Sequence, residues 1–104
     1  MRKIKLMADY GCYPLWESTE SRLVNLSPEE LNLSTELVDS LNQWASDFDA
    51  TLNRENPLIS NFTSKESEDK FENKGKQLYQ KLKQKLGPDF SVTYYSIRET
   101  KIYD

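Results

Sequence analysis

Residues 66 to 88 carry the pattern that most restricts what this chain can fold into. Phe71, Leu78, Tyr79, Leu82 and Leu86 recur at helical spacing, with Gly75 on the same stripe. Glu66, Glu68, Asp69 and Glu72 crowd the first half, and Lys76, Lys81, Lys83 and Lys85 the second, as the helix dipole favours. Gly87-Pro88 supplies a C-terminal glycine and a stop. A long helix with one apolar stripe has to lay that stripe on another layer. The glycine within it costs about 1 kcal/mol against alanine, which predicts close approach of a large ring such as Trp44.

A second stripe comes earlier. Leu37, Val38, Leu41, Trp44, Ala45, Phe48 and Leu52 share one face, which predicts a helix over residues 35–52 that Pro57 prevents from running on. Ser34 is its N-cap. Ser27-Pro28-Glu29-Glu30 has the spacing of a capping box on a short preceding turn, and Thr63 with Glu66 has it before the second helix. Residues 53–63 are a connector anchored by Leu58, Ile59 and Phe62.

Strand signals flank the helices. Lys3 to Ala8 alternate, with Ile4, Leu6 and Ala8 on the inner side, and break at Asp9 into a loop punctuated by Gly11 and Pro14. Residues 90–97, FSVTYYSI, read as a strand with Phe90, Val92 and Tyr94 on one face and Thr93, Tyr95 and Ile97 on the other. Residues 17–26 read as a polar loop with apolar anchors. The tail 98–104 either continues the last strand past a bend or adds a short edge strand. The fold class is therefore α/β in the α+β sense: one two-layer domain over residues 1–104, in β-α-α-β order. A small two- or three-stranded sheet carries both helices on one face, and the terminal strands pair antiparallel.

Composition narrows the chemistry. The 104 residues include no histidine, which removes the commonest general base and metal ligand together with any Ser-His or Cys-His nucleophile pair. Cys12 has no thiol partner for a disulfide and no ligand set for zinc, so it reads as a structural thiol in a reducing cytosol. Asp47 and Asp49 stand two apart on a helix, point in different directions and cannot share a reacting atom. Asp49 reads better as a hydrogen-bond acceptor for a loop backbone or for Arg54. No phosphate-cradling glycine loop is present. We therefore expect no enzyme, no catalytic residues, no metal and no cofactor.

No apolar run approaches the ~18 residues of a membrane span, and the N-terminus lacks the apolar core of a secretory signal. This predicts a cytoplasmic protein with no membrane partner. Net charge is −3, but residues 9–72 hold fourteen acidic and four basic side chains. That balance argues against nucleic acid as a direct partner and suits docking to a basic protein. Tyr94 and Tyr95 are too few, in too acidic a chain, to read as a base-stacking platform. Tyr10, Tyr13 and Trp16 crowd one short turn segment, either as a lid on the core or as a surface for another molecule.

Three stretches, KIKLMADYGCYPLWE, NLSPEELNLSTEL and WASDFDATLN, resemble a group of small bacterial proteins of about this length. That group shares a strand running into a MADY-x-C-x-PLW turn and a W-x3-FDATLN helix end. The likeness spans most of residues 3–97 and leaves out the tail from Arg98. Some members are similar to immunity proteins encoded beside the toxic C-terminal domains of contact-dependent growth inhibition systems. The resemblance implies a monomeric binder of one cognate toxin domain, such toxins often being nucleases with basic clefts. On that reading the candidate partner-binding residues are Asp9, Tyr10, Tyr13, Trp16, Glu17, Asp39 and Asp47. The alternative is a stand-alone cytosolic binding or adaptor protein.

Overall fold

The computed structural model describes residues 2–51 and 64–104. The described residues form a mixed α+β fold with one five-stranded sheet and two long helices. In chain order the strands are β1 (Arg2–Leu6), β2 (Leu15–Ser18), β3 (Leu23–Leu26), β4 (Phe90–Ser96) and β5 (Lys101–Tyr103). Helices α1 (Thr35–Asp49) and α2 (Lys65–Leu86) lie between β3 and β4. The sheet order is β3-β2-β1-β4-β5, which puts β1 at the centre.

The terminal strands are neighbours, as expected, but in the opposite sense. β1 pairs with β4 in parallel, Ile4 beside Val92 and Leu6 beside Tyr94, whereas antiparallel pairing was expected from the passage of two helices. Counting helices does not decide strand direction here, because β2, β3 and residues 27–34 also lie on the path between β1 and β4.

The sheet also has five strands where two or three were expected. Residues 17–26 are not a polar loop: they belong to a hairpin in which β2 pairs antiparallel with β1 and with β3. The turn is closed by Thr19, whose N–H and hydroxyl both donate to the Arg22 carbonyl at 2.8 and 2.9 Å. Glu20 and Ser21 at its tip lack the Asn-Gly type of signal, so the hairpin has no marked turn in the sequence. Residues 101–103 form the short edge strand. Ile97 lies past the end of β4 and packs against the core instead of extending its outer face.

Both helices cover one face of the sheet. Ile4, Leu6, Leu15, Leu26, Val92 and Tyr94 are buried on that side with Leu41, Trp44, Phe48, Phe71, Leu78 and Leu82. Trp44 is 2% exposed, stacks on Phe71 with ring centres 4.5 Å apart, and donates its indole N–H to the Phe71 carbonyl at 3.0 Å. Gly75 lies where expected. A Cβ on it would stand 2.7 Å from the Tyr94 hydroxyl and 2.9 Å from Trp44 Cζ2. The other face of the sheet carries Lys3, Lys5, Trp16, Ser18, Leu23, Asn25, Ser91, Thr93, Tyr95 and Ile102, as strand alternation and register require.

Caps fix the helix ends. Ser27 and Glu30 form the expected capping box, on a single 3-10 turn, and Ser34 accepts from the Leu37 N–H at 3.2 Å. α1 stops at Asp49 instead of residue 52. Helix α2 is capped by Ser64, which accepts from the Ser67 N–H at 3.1 Å; the cap expected at Thr63 lies outside the described residues, as do Arg54 and the anchors Leu58, Ile59 and Phe62.

Candidate functional site

The loop after β1 does not hold its three rings together. Each goes somewhere different. Tyr10 turns inward, stacks on Phe48 of α1 with ring centres 4.4 Å apart, and shares a 3.0 Å hydrogen bond with the Thr51 hydroxyl. It is a half-buried lid. Tyr13 stays outside, 51% exposed. Its backbone is clamped by Asn25, whose amide oxygen accepts from the Tyr13 N–H at 2.9 Å and whose amide nitrogen donates to the Tyr13 carbonyl at 2.8 Å. Trp16 is not in the loop: it belongs to β2, opposite Lys5, on the sheet face away from the helices. Its indole N–H donates to the Met7 carbonyl at 3.0 Å.

What the loop does build is an acidic corner. Gly11 has a positive φ of 70°, the left-handed region that glycine enters freely. Its N–H donates to Asp49 Oδ1 at 3.0 Å, so loop and helix end are fastened together. Asp49 thus accepts from a loop backbone, one of the two roles read for it from the sequence. Asp9 accepts from the Tyr10 N–H at 2.8 Å, and Asp47, in the last turn of α1, accepts from Gln43 at 2.9 Å. All three carboxylates are exposed, and the last turn of α1 has no basic residue. The negative end of the helix dipole therefore adds to their field. Cys12 reports that field: burial pushes its thiol pKa up, and Asp9 and Asp49 push it further, so it stays a neutral thiol.

The remaining candidates stand apart. Glu17 forms a two-pronged ion pair with Arg2, at 2.7 and 2.8 Å, and that hydrogen bonding holds its carboxyl below the usual range. Asp39 is exposed on the first half of α1, about 15 Å along the helix from Asp49. Asp9, Tyr10 and Tyr13 thus lie in the loop seated at the end of α1, whose last turn also carries Asp47, while Trp16, Glu17 and Asp39 stand elsewhere. Asn25, which fixes Tyr13, has no marker in the local sequence; only the hairpin register puts it opposite Trp16.

A second polar cluster is structural. Glu72 is 2% exposed and accepts from the Ser96 hydroxyl at 2.6 Å. Burial, with Glu72 close by, pushes the Tyr94 phenol well above its ordinary pKa. Arg98 pairs with Asp69, and Glu99 accepts from Tyr103 at 2.6 Å and from Lys76 at 3.4 Å, which ties the tail to α2. Among the described residues no group of three or more His, Cys, Asp or Glu side chains is arranged to hold a metal, and no helix is long and apolar enough to cross a membrane.

Compared with known families, residues 2–97 match the family described as Serratia CdiI immunity protein-like. The match ends where the tail begins. A comparison with curated proteins gave no match.

Proposed function

We propose that this chain, which belongs to the Serratia CdiI immunity protein-like family, binds the toxin domain encoded with it and blocks that toxin's action. Family membership over residues 2–97 is the observation that carries this reading. The acidic corner supports where contact is made. Asp9 in the loop and Asp47 and Asp49 in the last turn of α1 stand on the two segments that the Gly11–Asp49 bond fastens together, and the same loop carries an exposed Tyr13 whose backbone is held by Asn25. A tyrosine on a rigid backbone, in a loop fastened to an acidic helix end, has the make-up of an interface anchor with a steering field. A basic cleft, such as that of a nuclease, is the complementary surface. In this role the protein acts by binding, without catalysis or a cofactor, as a monomer in the cytoplasm.

The test is co-expression with the toxin domain encoded beside this chain. Growth should be restored and the two chains should purify as one complex. Equal toxicity with and without the chain, and no complex between the purified proteins, would overturn the reading and leave the adaptor role in its place.

A further inference from the structure

The sheet face that the described helices leave uncovered carries lysines at its centre. Its strand positions carry two charged groups, Lys3 and Lys5, both on the central strand, in a chain of net charge −3. Around them stand the hydroxyls of Ser18, Ser91 and Thr93, which with Lys3, Lys5 and Ile102 line a shallow depression of about 200 Å³. Leu23 and Ile102, 41% and 55% exposed, supply apolar margins on the two edge strands. The face is continuous with the acidic corner: Tyr13 is clamped by Asn25, Asn25 lies opposite Trp16, and Trp16 lies opposite Lys5.

We infer that the toxin's footprint runs from the acidic corner across Tyr13, Asn25 and Trp16 onto this face, where Lys3 and Lys5 receive carboxylates of an acidic, apolar-flanked segment of the toxin. The inference rests on the toxin-binding reading above and makes the interface bipolar. Charge decides the occupant. A second copy packed face to face about a two-fold axis would set Lys3 and Lys5 against the same lysines, a like-charge contact. A nucleic-acid strand needs a longer run of cations than two lysines on an acidic protein. A carboxylate-bearing polypeptide meets the lysines, the hydroxyls and the apolar margins together.

The two tryptophans provide the test. Trp44 is enclosed in the core and Trp16 lies on the face in question, so 5-fluorotryptophan labelling gives two 19F signals, assigned with Trp16→Phe. On addition of the catalytically inactive toxin domain, the Trp16 signal should move and the Trp44 signal should stay. Lys3→Glu with Lys5→Glu should weaken the complex about tenfold or more. Lys81→Glu with Lys85→Glu, the same charge change on α2, should leave affinity within about twofold. Urea midpoints of all variants exclude loss of folding. A complex that forms with Trp16 unmoved and the Lys3/Lys5 variant unimpaired overturns the inference and leaves toxin binding intact. No complex at all overturns both. A Trp16 shift with the chain's own concentration, or with a uridine decamer at lower concentration than with toxin, overturns it in favour of self-association or RNA.

Discussion

At the scale of single residues, Gly75 is the most constrained position. Alanine there would improve helix propensity by about 1 kcal/mol. Its methyl, however, would meet the Tyr94 hydroxyl and Trp44 inside normal contact distance, between rings that are themselves packed on other rings. Overpacking wins: Gly75→Ala should destabilise by about 1–2 kcal/mol net and Gly75→Leu by more, read from urea unfolding midpoints. Glu17 gives a pH prediction. Its pKa is lowered in the folded state by Arg2, so its contribution is present above the unfolded carboxylate pKa and is lost as pH falls through the lower folded value. Arg2 is partly exposed, so the pair contributes about 0.5 kcal/mol. Glu17→Gln should be slightly less stable than the native chain at pH 7, and the gap should close only as the pH falls below the usual carboxylate range.

At the scale of elements, the decisive contact is the loop after β1 seated on the end of α1. Tyr10 on Phe48, Tyr10 to Thr51 and Gly11 to Asp49 are three attachments within one turn of helix. The helix stripe that extends to Leu52 in sequence is interrupted there because the loop uses the helix end: the N–H and hydroxyl of Thr51 both donate to the Phe48 carbonyl. Asp49→Ala should release the loop without unfolding the core. The Gly11 amide should exchange with solvent several-fold faster while the amides of β1 and β4 keep their protection. Unchanged exchange at Gly11 would mean that the stacked Tyr10 holds the loop alone. The loop's destination was not legible in its residues. The stripe of α1 and the alternation of β1 are local periodicities, whereas the pairing of Gly11 with Asp49 joins positions 38 apart.

For the whole molecule, charge is sorted by surface. Asp9, Asp47 and Asp49 share one end, and Lys3 and Lys5 share the uncovered sheet face. If the corner steers a basic toxin, association should slow as salt rises, and Asp47→Lys should lower the association rate and flatten that dependence. Tyr13→Ala should instead leave association near its native rate and speed dissociation, costing about 2 kcal/mol if Tyr13 is the anchor. Stopped-flow binding at two or more ionic strengths separates the two effects. A Tyr13→Ala chain that dissociates at the native rate would move the anchor elsewhere.

The residues by themselves determined the two helices, the stop of α2 at Gly87-Pro88, the caps at Ser27 and Ser34, the inner faces of β1 and β4, and the need for space at Gly75. Each of these follows from spacing, propensity or steric size within a short window. Only the tertiary structure decided that β1 and β4 run parallel, that residues 15–26 hold a hairpin, and that Tyr10, Tyr13 and Trp16 part company. Those outcomes depend on which strand edge and which helix end a segment meets. A four-residue strand without a marked turn carries no local signal strong enough to announce its partner. The candidate surface was half legible for the same reason. Its acidic charge and its rings are in the composition, but the sheet register placed Trp16 beside Lys5, and loop docking placed Asp9 and Tyr13 beside the end of α1.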